Sequence, residues 1–156
     1  MKGELSDYKK RLNEIKAADL MSKFAITMRE EDTVDSLAHL MMRFKISGVP
    51  VLSRNEDIVG IITVTDLFNL MKAITNDIDN GVELTKYQNI KINEVMTRDV
   101  VSITEETNLG EIIRIMCEKN IHTLPVVDTK EGKIIGVIGR RDVLNAFYVK
   151  RGGIIL

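Results

Sequence analysis

The chain repeats itself, and that repetition narrows its possible folds more than any other feature. Met21 and Met96 stand 75 positions apart (21 to 96). The same offset pairs Glu30 with Glu105, Glu31 with Glu106, Met41 with Met116, Ile46 with Ile121, Pro50 with Pro125 and Val51 with Val126. One residue is then gained. At an offset of 76 (58 to 134), Ile58 meets Ile134, Gly60 meets Gly136, Ile62 meets Ile138 and Asp66 meets Asp142. Chance accounts for one or two such matches, not for an ordered series.

Each half carries the same physical pattern. AITM (25–28) and VVSI (100–103) predict short strands ahead of a polar turn. A helix follows, with apolar residues at i, i+3, i+4 and i+7: Val34, Leu37, Ala38 and Met41, then Leu109, Ile112, Ile113 and Met116. Thr33 is a candidate N-cap, and Asn108 with Glu111 three residues on resembles a capping box. VPVL (49–52) and LPVV (124–127) predict the next strand; proline has no N–H for a ladder, which predicts a strand start or a sheet edge. IVGIIT (58–63) and IIGVIG (134–139) predict a buried strand, and a second helix begins near Asp66 and near Asp142. The unit is β-α-β-β-α.

A half of about sixty residues buries too little apolar surface to be comfortable alone, so two copies sharing a core are expected. The expected organisation is an N-terminal helix over 1–17, repeat 1 over 18–75, a linker over 76–92, repeat 2 over 93–150 and a tail over 151–156. Leu5, Tyr8, Leu12 and Ile15 form one stripe of the first helix, expected to pack on the module or on a partner subunit. Asn80-Gly81 predicts a turn in the connection over 72–92.

Composition then removes whole classes of function. Twenty-two Lys and Arg face twenty-three Asp and Glu, a net charge of −1. That balance argues against nucleic-acid or membrane partners. No apolar run approaches the roughly 20 residues that span a bilayer, and the N-terminus has no apolar core of a signal peptide. The single cysteine allows no intramolecular disulfide, so a cytoplasmic location is expected. Cys117 follows Ile113 on the apolar face and is expected to be a core thiol. One cysteine and two isolated histidines build neither a nucleophilic dyad nor a zinc site, and no phosphate-loop or dinucleotide motif is present, so no enzyme is expected. NDIDNG (76–81) lacks the ligands of a calcium loop at its third and twelfth positions, Ile78 and Tyr87. No obligatory cofactor and no metal are expected.

The doubled order resembles a tandem pair of cystathionine-β-synthase (CBS) domains, a Bateman module. The resemblance rests on Met21-Ser22, Ile46-Ser47-Gly48-Val49-Pro50 and Gly60-Ile61-Ile62-Thr63-Val64-Thr65-Asp66, and in the second copy on Met96-Thr97, Ile121-His122-Thr123-Leu124-Pro125 and Gly136-Val137-Ile138-Gly139-Arg140-Arg141-Asp142. It covers roughly residues 18 to 149. It implies an α+β fold of two β-α-β-β-α repeats packed around a pseudo-two-fold axis. It also implies an energy-sensing regulatory module whose clefts between the repeats bind AMP, ADP, ATP, S-adenosylmethionine or a cyclic dinucleotide such as cyclic di-AMP. With no effector domain fused, the signal would pass to an unidentified regulated protein, and a homodimer is implied. A ligand-free dimerisation or scaffold module, using Met41, Met42 and Met116 as contact surface, is the alternative.

The resemblance assigns Asp66 and Asp142 to the ribose hydroxyls, with Thr63 adding a hydrogen bond that Gly139 cannot supply. Adenine would lie against the first strand and the residues before the proline. Crosswise, Asp66 would work with Val100, Val101, Ser102, Ile121 and His122, alongside Thr123 and Pro125. Asp142 would work with Ala25, Ile26, Thr27, Ile46 and Ser47, alongside Gly48 and Pro50. A carboxylate accepts from two vicinal hydroxyls at once, and a helix N-terminus welcomes phosphate. The competing reading is that both aspartates only cap helices. Arg140 and Arg141 suit phosphate geometry, or else form an exposed pair salt-bridged to the Glu-rich turns. Val64 and Thr65 carry no charge at the matching places, so two unequal sites are expected: a charged-nucleotide site at Asp142 and, unless His122 supplies a phosphate contact, a less charged adenosine site at Thr63, Thr65 and Asp66.

Overall fold

The computed structural model describes residues 2–149; the tail expected over 151–156 lies outside the described residues. In chain order the elements are α1 (Lys2–Glu14), α2 (Ala17–Leu20), β1 (Met28–Arg29), α3 (Val34–Phe44), β2 (Gly48–Leu52), β3 (Ile58–Thr63), α4 (Val64–Asp79), β4 (Ile103–Thr104), α5 (Leu109–Glu118), β5 (Thr123–Val127), β6 (Ile134–Gly139) and α6 (Arg140–Tyr148). Two short 3-10 turns, Thr85–Tyr87 and Ile92–Glu94, lie between α4 and β4. Among the described residues the strands form two three-stranded sheets, ordered β1-β2-β3 and β4-β5-β6. In each, the first pair is parallel and the second antiparallel.

Two compact units divide the chain, and their seams are not those of the sequence repeats. Among the described residues one unit is Ile26–Val100; the other joins residues 2–25 to residues 101–149. The Ile26–Val100 unit is built on Leu37, Met41, Val49, Val51, Ile62, Ile92 and Met96. The other is built on Ala17, Ile103, Ile112, Met116, Leu124, Val126 and Ile138, with Met21 packed against them. Each opening methionine therefore packs on the sheet of the opposite repeat. Thr97 exchanges two backbone hydrogen bonds with Ile61 (2.8 and 2.9 Å), and Ser22 does the same with Val137 (2.9 and 3.1 Å). Met96 then lies over Gly60 and Met21 over Gly136, where any Cβ would run into the methionine.

Those bridges correct the expectation for the prolines. Pro50 and Pro125 lie inside the central strands, not at a start or an edge. Pro50 faces Ile61 and Pro125 faces Val137. Both partners spend their N–H and C=O outward, on Thr97 and Ser22, so no donor is asked of the proline. On its other side β1 reaches only Val51 and Leu52, and β4 only Val126 and Val127.

The helices follow their periodicity. Val34, Leu37 and Met41 of α3 are buried, as are Leu109, Ile112 and Met116 of α5. Thr33 caps α3 by accepting from the Ser36 N–H, and Asn108 caps α5 by accepting from the Glu111 N–H at 2.9 Å. Glu111 does not complete the box; its carboxylate pairs with Arg114 instead. Cys117 is exposed, which corrects the expected core thiol. The buried stripe runs through Met116, and the next residue is turned about 100° away from it.

The leading strands are shorter than the apolar runs suggest, at two residues each. Helix α4 runs on to Asp79, four residues past the expected end of repeat 1, and Gly81 at φ +68° makes the turn after it. Tyr87 donates to Asp77, and Lys86 pairs with Asp77 at 2.8 Å, which ties the following loop back to α4. Helix α1 packs on α5 and α6 of its own unit: Tyr8 stacks on Phe147 with ring centroids 4.9 Å apart, while Leu5 stays exposed.

Candidate ligand-binding site

In the Ile26–Val100 unit, β3 ends at Thr63, which turns from extended backbone (φ −122°, ψ 168°) into α4. Asp66 stands in the first turn of that helix, three residues after the N-cap. Its Oδ2 accepts the Thr63 N–H at 2.8 Å and the Thr63 hydroxyl at 3.2 Å. The Asp66 N–H donates back to Thr63 Oγ1 at 3.3 Å. This is a reciprocal capping box, so the capping role expected as the alternative is present. It also holds a half-buried carboxylate at the strand end. Thr97 adds a third donor, its hydroxyl 3.1 Å from Asp66 Oδ1.

The segment before β2 is brought to the same place. Val64 N–H donates to the Ser47 carbonyl at 2.9 Å, and Gly48 pairs with Thr63. Ser47 and Thr65 are exposed, and Ile46 is half-buried. Ile26, Thr27 and Val100 are half-buried at the two ends of this unit's sequence. Pro50 is fully buried in the sheet core.

The second unit repeats the turn with less chemistry. Gly139 is the N-cap of α6, and Asp142 Oδ2 accepts its N–H at 2.8 Å. Thr123 pairs with Gly139 and is buried, as is Pro125. Ile121, Val101 and Ala25 are half-buried; His122 and Ser102 are exposed. Arg140 and Arg141 are the first two helical residues, both exposed. Among the described residues neither forms an ion pair, so the expected salt bridges to the Glu-rich turns are not made there. Two guanidinium groups at a helix N-terminus face like-signed partial charge, an arrangement that favours an anion.

Sequence reasoning passed over Thr97. The doubled Met-Ser/Met-Thr pair and the doubled glycines mark the repeat, but their mutual contact, which delivers Thr97 to Asp66, needs the exchange of segments that only the structure displays. Among the described residues no cluster of His, Cys, Asp and Glu could hold a metal ion, and no helix is long and apolar enough to cross a membrane.

The profile of the CBS domain matches residues 17–73 and 92–149. The chain belongs to the CBS domain family. Its sequence is similar to inosine-5′-monophosphate dehydrogenase of Methanocaldococcus jannaschii, 36% identical over 129 residues that make up 83% of this chain and 23% of that enzyme. The chain thus spans about a quarter of that relative's length. The structure is similar to that of CBSX2 in complex with AMP, with a TM-score of 0.71 and 26% identity, covering 85% of this chain and 95% of the other. It is also similar to a CBS domain pair in complex with 5′-methylthioadenosine and S-adenosyl-L-methionine, with a TM-score of 0.65 and 26% identity over 85% of this chain and 94% of that one.

Proposed function

We propose that this CBS pair is a regulatory module that binds adenosine-containing ligands at its two aspartate turns and signals to a partner protein. The observation that carries this reading is the doubled geometry. Asp66 and Asp142 each stand three residues past the end of an antiparallel strand, each held by the N–H of the N-cap residue. Each carboxylate is half-buried beside a helix N-terminus, the arrangement that suits a ribose with phosphate nearby. Solved CBS pairs of similar fold hold AMP, or 5′-methylthioadenosine and S-adenosyl-L-methionine, which supports the same ligand class here. AMP, ADP, ATP, S-adenosylmethionine and cyclic di-AMP are the candidates.

The two turns should differ in ligand charge. Arg140 and Arg141 give the Asp142 turn a phosphate receptor, while Val64 and Thr65 give the Asp66 turn none. Replacing both arginines with alanine is expected to weaken ATP binding far more than adenosine binding. Equal loss for both ligands would contradict this assignment.

The reading of the chain as a dimerisation module cannot rest on Met41 and Met116, which are buried in the cores; of the three methionines expected as contact surface only Met42 is exposed. Helix α4 buries no residue and exposes Val64, Phe68, Met71 and Ile78 along one stripe. We propose a homodimer that uses this stripe. Phe68→Asp should convert a dimer to a monomer in analytical ultracentrifugation; an unchanged sedimentation coefficient would place the dimer contact elsewhere. The similarity to a dehydrogenase runs through about a quarter of that enzyme, and no catalytic step is assigned to this chain.

A further inference from the structure

We infer that Thr97 ranks the two ribose receptors by competing for Asp66, an inference that rests on the adenosine-binding reading above. A carboxylate offers about four lone-pair positions. On Asp66 three are taken: Oδ2 accepts the Thr63 N–H and the Thr63 hydroxyl, and Oδ1 accepts the Thr97 hydroxyl. A ribose needs two positions, one for each vicinal hydroxyl. On Asp142, among the described residues, only the Gly139 N–H is accepted, and glycine has no hydroxyl to add. Asp142 can therefore take both ribose hydroxyls as it stands. Asp66 can do so only after a threonine hydroxyl turns away.

The Thr97 contact is set by the main chain. Its N–H and C=O are bridged to Ile61, and the preceding Met96 is buried over Gly60. The β-branch of threonine restricts χ1 and keeps the hydroxyl aimed. Ser22 holds the same place against Val137, but without the branch, and among the described residues its hydroxyl makes no bond to Asp142. Thr97 is thus a specificity-determining residue. It makes Asp66 the weaker ribose receptor, an effect on the ribose hydroxyls that is separate from the effect of Arg140 and Arg141 on phosphate.

The test is calorimetric titration of AMP into the full chain and into Asp66→Ala, Asp142→Ala and Thr97→Val. Thr97 is exposed and valine keeps its shape, so the variant should fold as the parent does. The stronger binding step should vanish in Asp142→Ala and the weaker in Asp66→Ala. In Thr97→Val the weaker step should tighten about ten-fold, the scale of one hydrogen bond to a charged acceptor, with the stronger step unchanged. A parent with one visible step fits if Asp142→Ala removes it and Thr97→Val brings out a second. If both aspartate variants lose their steps but Thr97→Val leaves the weaker step unchanged or loosens it, this inference is overturned and the adenosine reading stands. If AMP does not bind the parent, or binds undiminished to both aspartate variants, the reading itself fails and the inference with it.

Discussion

Gly60→Ala is the substitution whose cost the structure defines most closely. A Cβ at position 60 would overlap Met96 Sδ and come within 2.9 Å of Met96 Cγ and 3.0 Å of the Thr97 carbonyl. At Gly136 the corresponding distances are 2.6 Å to Met21 Sδ, 2.9 Å to Met21 Cγ and 2.9 Å to the Ser22 carbonyl. Neither glycine sits at positive φ, so the alanine backbone itself is unstrained. The methionine could swing only by leaving the core, since Met96 is 8% exposed. The carbonyl cannot retreat, since it holds the Ile61 N–H at 2.9 Å. Overpacking of this kind costs about 1–3 kcal/mol, and the reduced freedom of the unfolded chain returns about 0.5–1 kcal/mol. A net loss of about 1–2 kcal/mol should lower the melting temperature by about 3–6 °C in a chain of this size. Circular dichroism melting of Gly60→Ala and Gly136→Ala reads this directly. The double variant Gly60→Ala/Met96→Ala isolates the cause. Each change makes room for the other, so its loss should fall short of the sum of the singles by about 1 kcal/mol. A Gly60→Ala protein that melts at or above the parent, or strict additivity in the double variant, would refute the packing argument.

Other consequences are simpler to read. Asn108→Ala removes the side chain that accepts the Glu111 N–H and should cost about 1 kcal/mol in chemical denaturation. The bond from Lys86, then that from Tyr87, holds the Asp77 carboxyl below its ordinary value of 3.8. A depressed folded-state value contributes stability that is present above the ordinary carboxylate range and lost as pH falls through the folded value. The stability difference between parent and Asp77→Asn should therefore shrink as pH is lowered below about 4, and a difference independent of pH would contradict that pairing. Cys117, being exposed, should react fully with a thiol reagent in the native protein without any change in melting; protection until unfolding would contradict its placement.

Much of the fold was legible because its signals are local. The stripes Val34-Leu37-Met41 and Leu109-Ile112-Met116 specify two helices and their buried faces, and Thr33 and Asn108 announce where each begins. The repeat gave the order of elements. What it could not give was which copy of each element packs where. A doubled sequence is equally consistent with Met21 on its own repeat or on the other one. The close fit of Met21 on Gly136 and of Met96 on Gly60 decides it, and a side chain meeting a glycine leaves no periodic trace. The placement of the prolines is hidden from the sequence for a related reason. Pro50 and Pro125 are harmless in a central strand only because Ile61 and Val137 bond outward to Thr97 and Ser22, and that bridge is long-range. Cys117 marks the limit of a helical wheel, where one residue beyond Met116 crosses from buried to exposed. At the candidate site, the aspartates and the arginine pair were visible by type and place. The state of the Asp66 carboxylate was not, because it depends on a hydroxyl thirty-one positions away (66 to 97).

The central claim is that adenosine-containing ligands bind at Asp66 and Asp142. Its most direct test is thermal melting of the purified chain with AMP, ADP, ATP, S-adenosylmethionine and cyclic di-AMP, run beside Asp66→Ala and Asp142→Ala. A ligand present at about 100 times its dissociation constant adds roughly 2.7 kcal/mol, which for a chain of this size is a shift of roughly 5–10 °C. The account predicts such a shift for at least one of these ligands, reduced or abolished in an aspartate variant that folds normally. No shift for any of them, or a shift that survives in both variants, would contradict it.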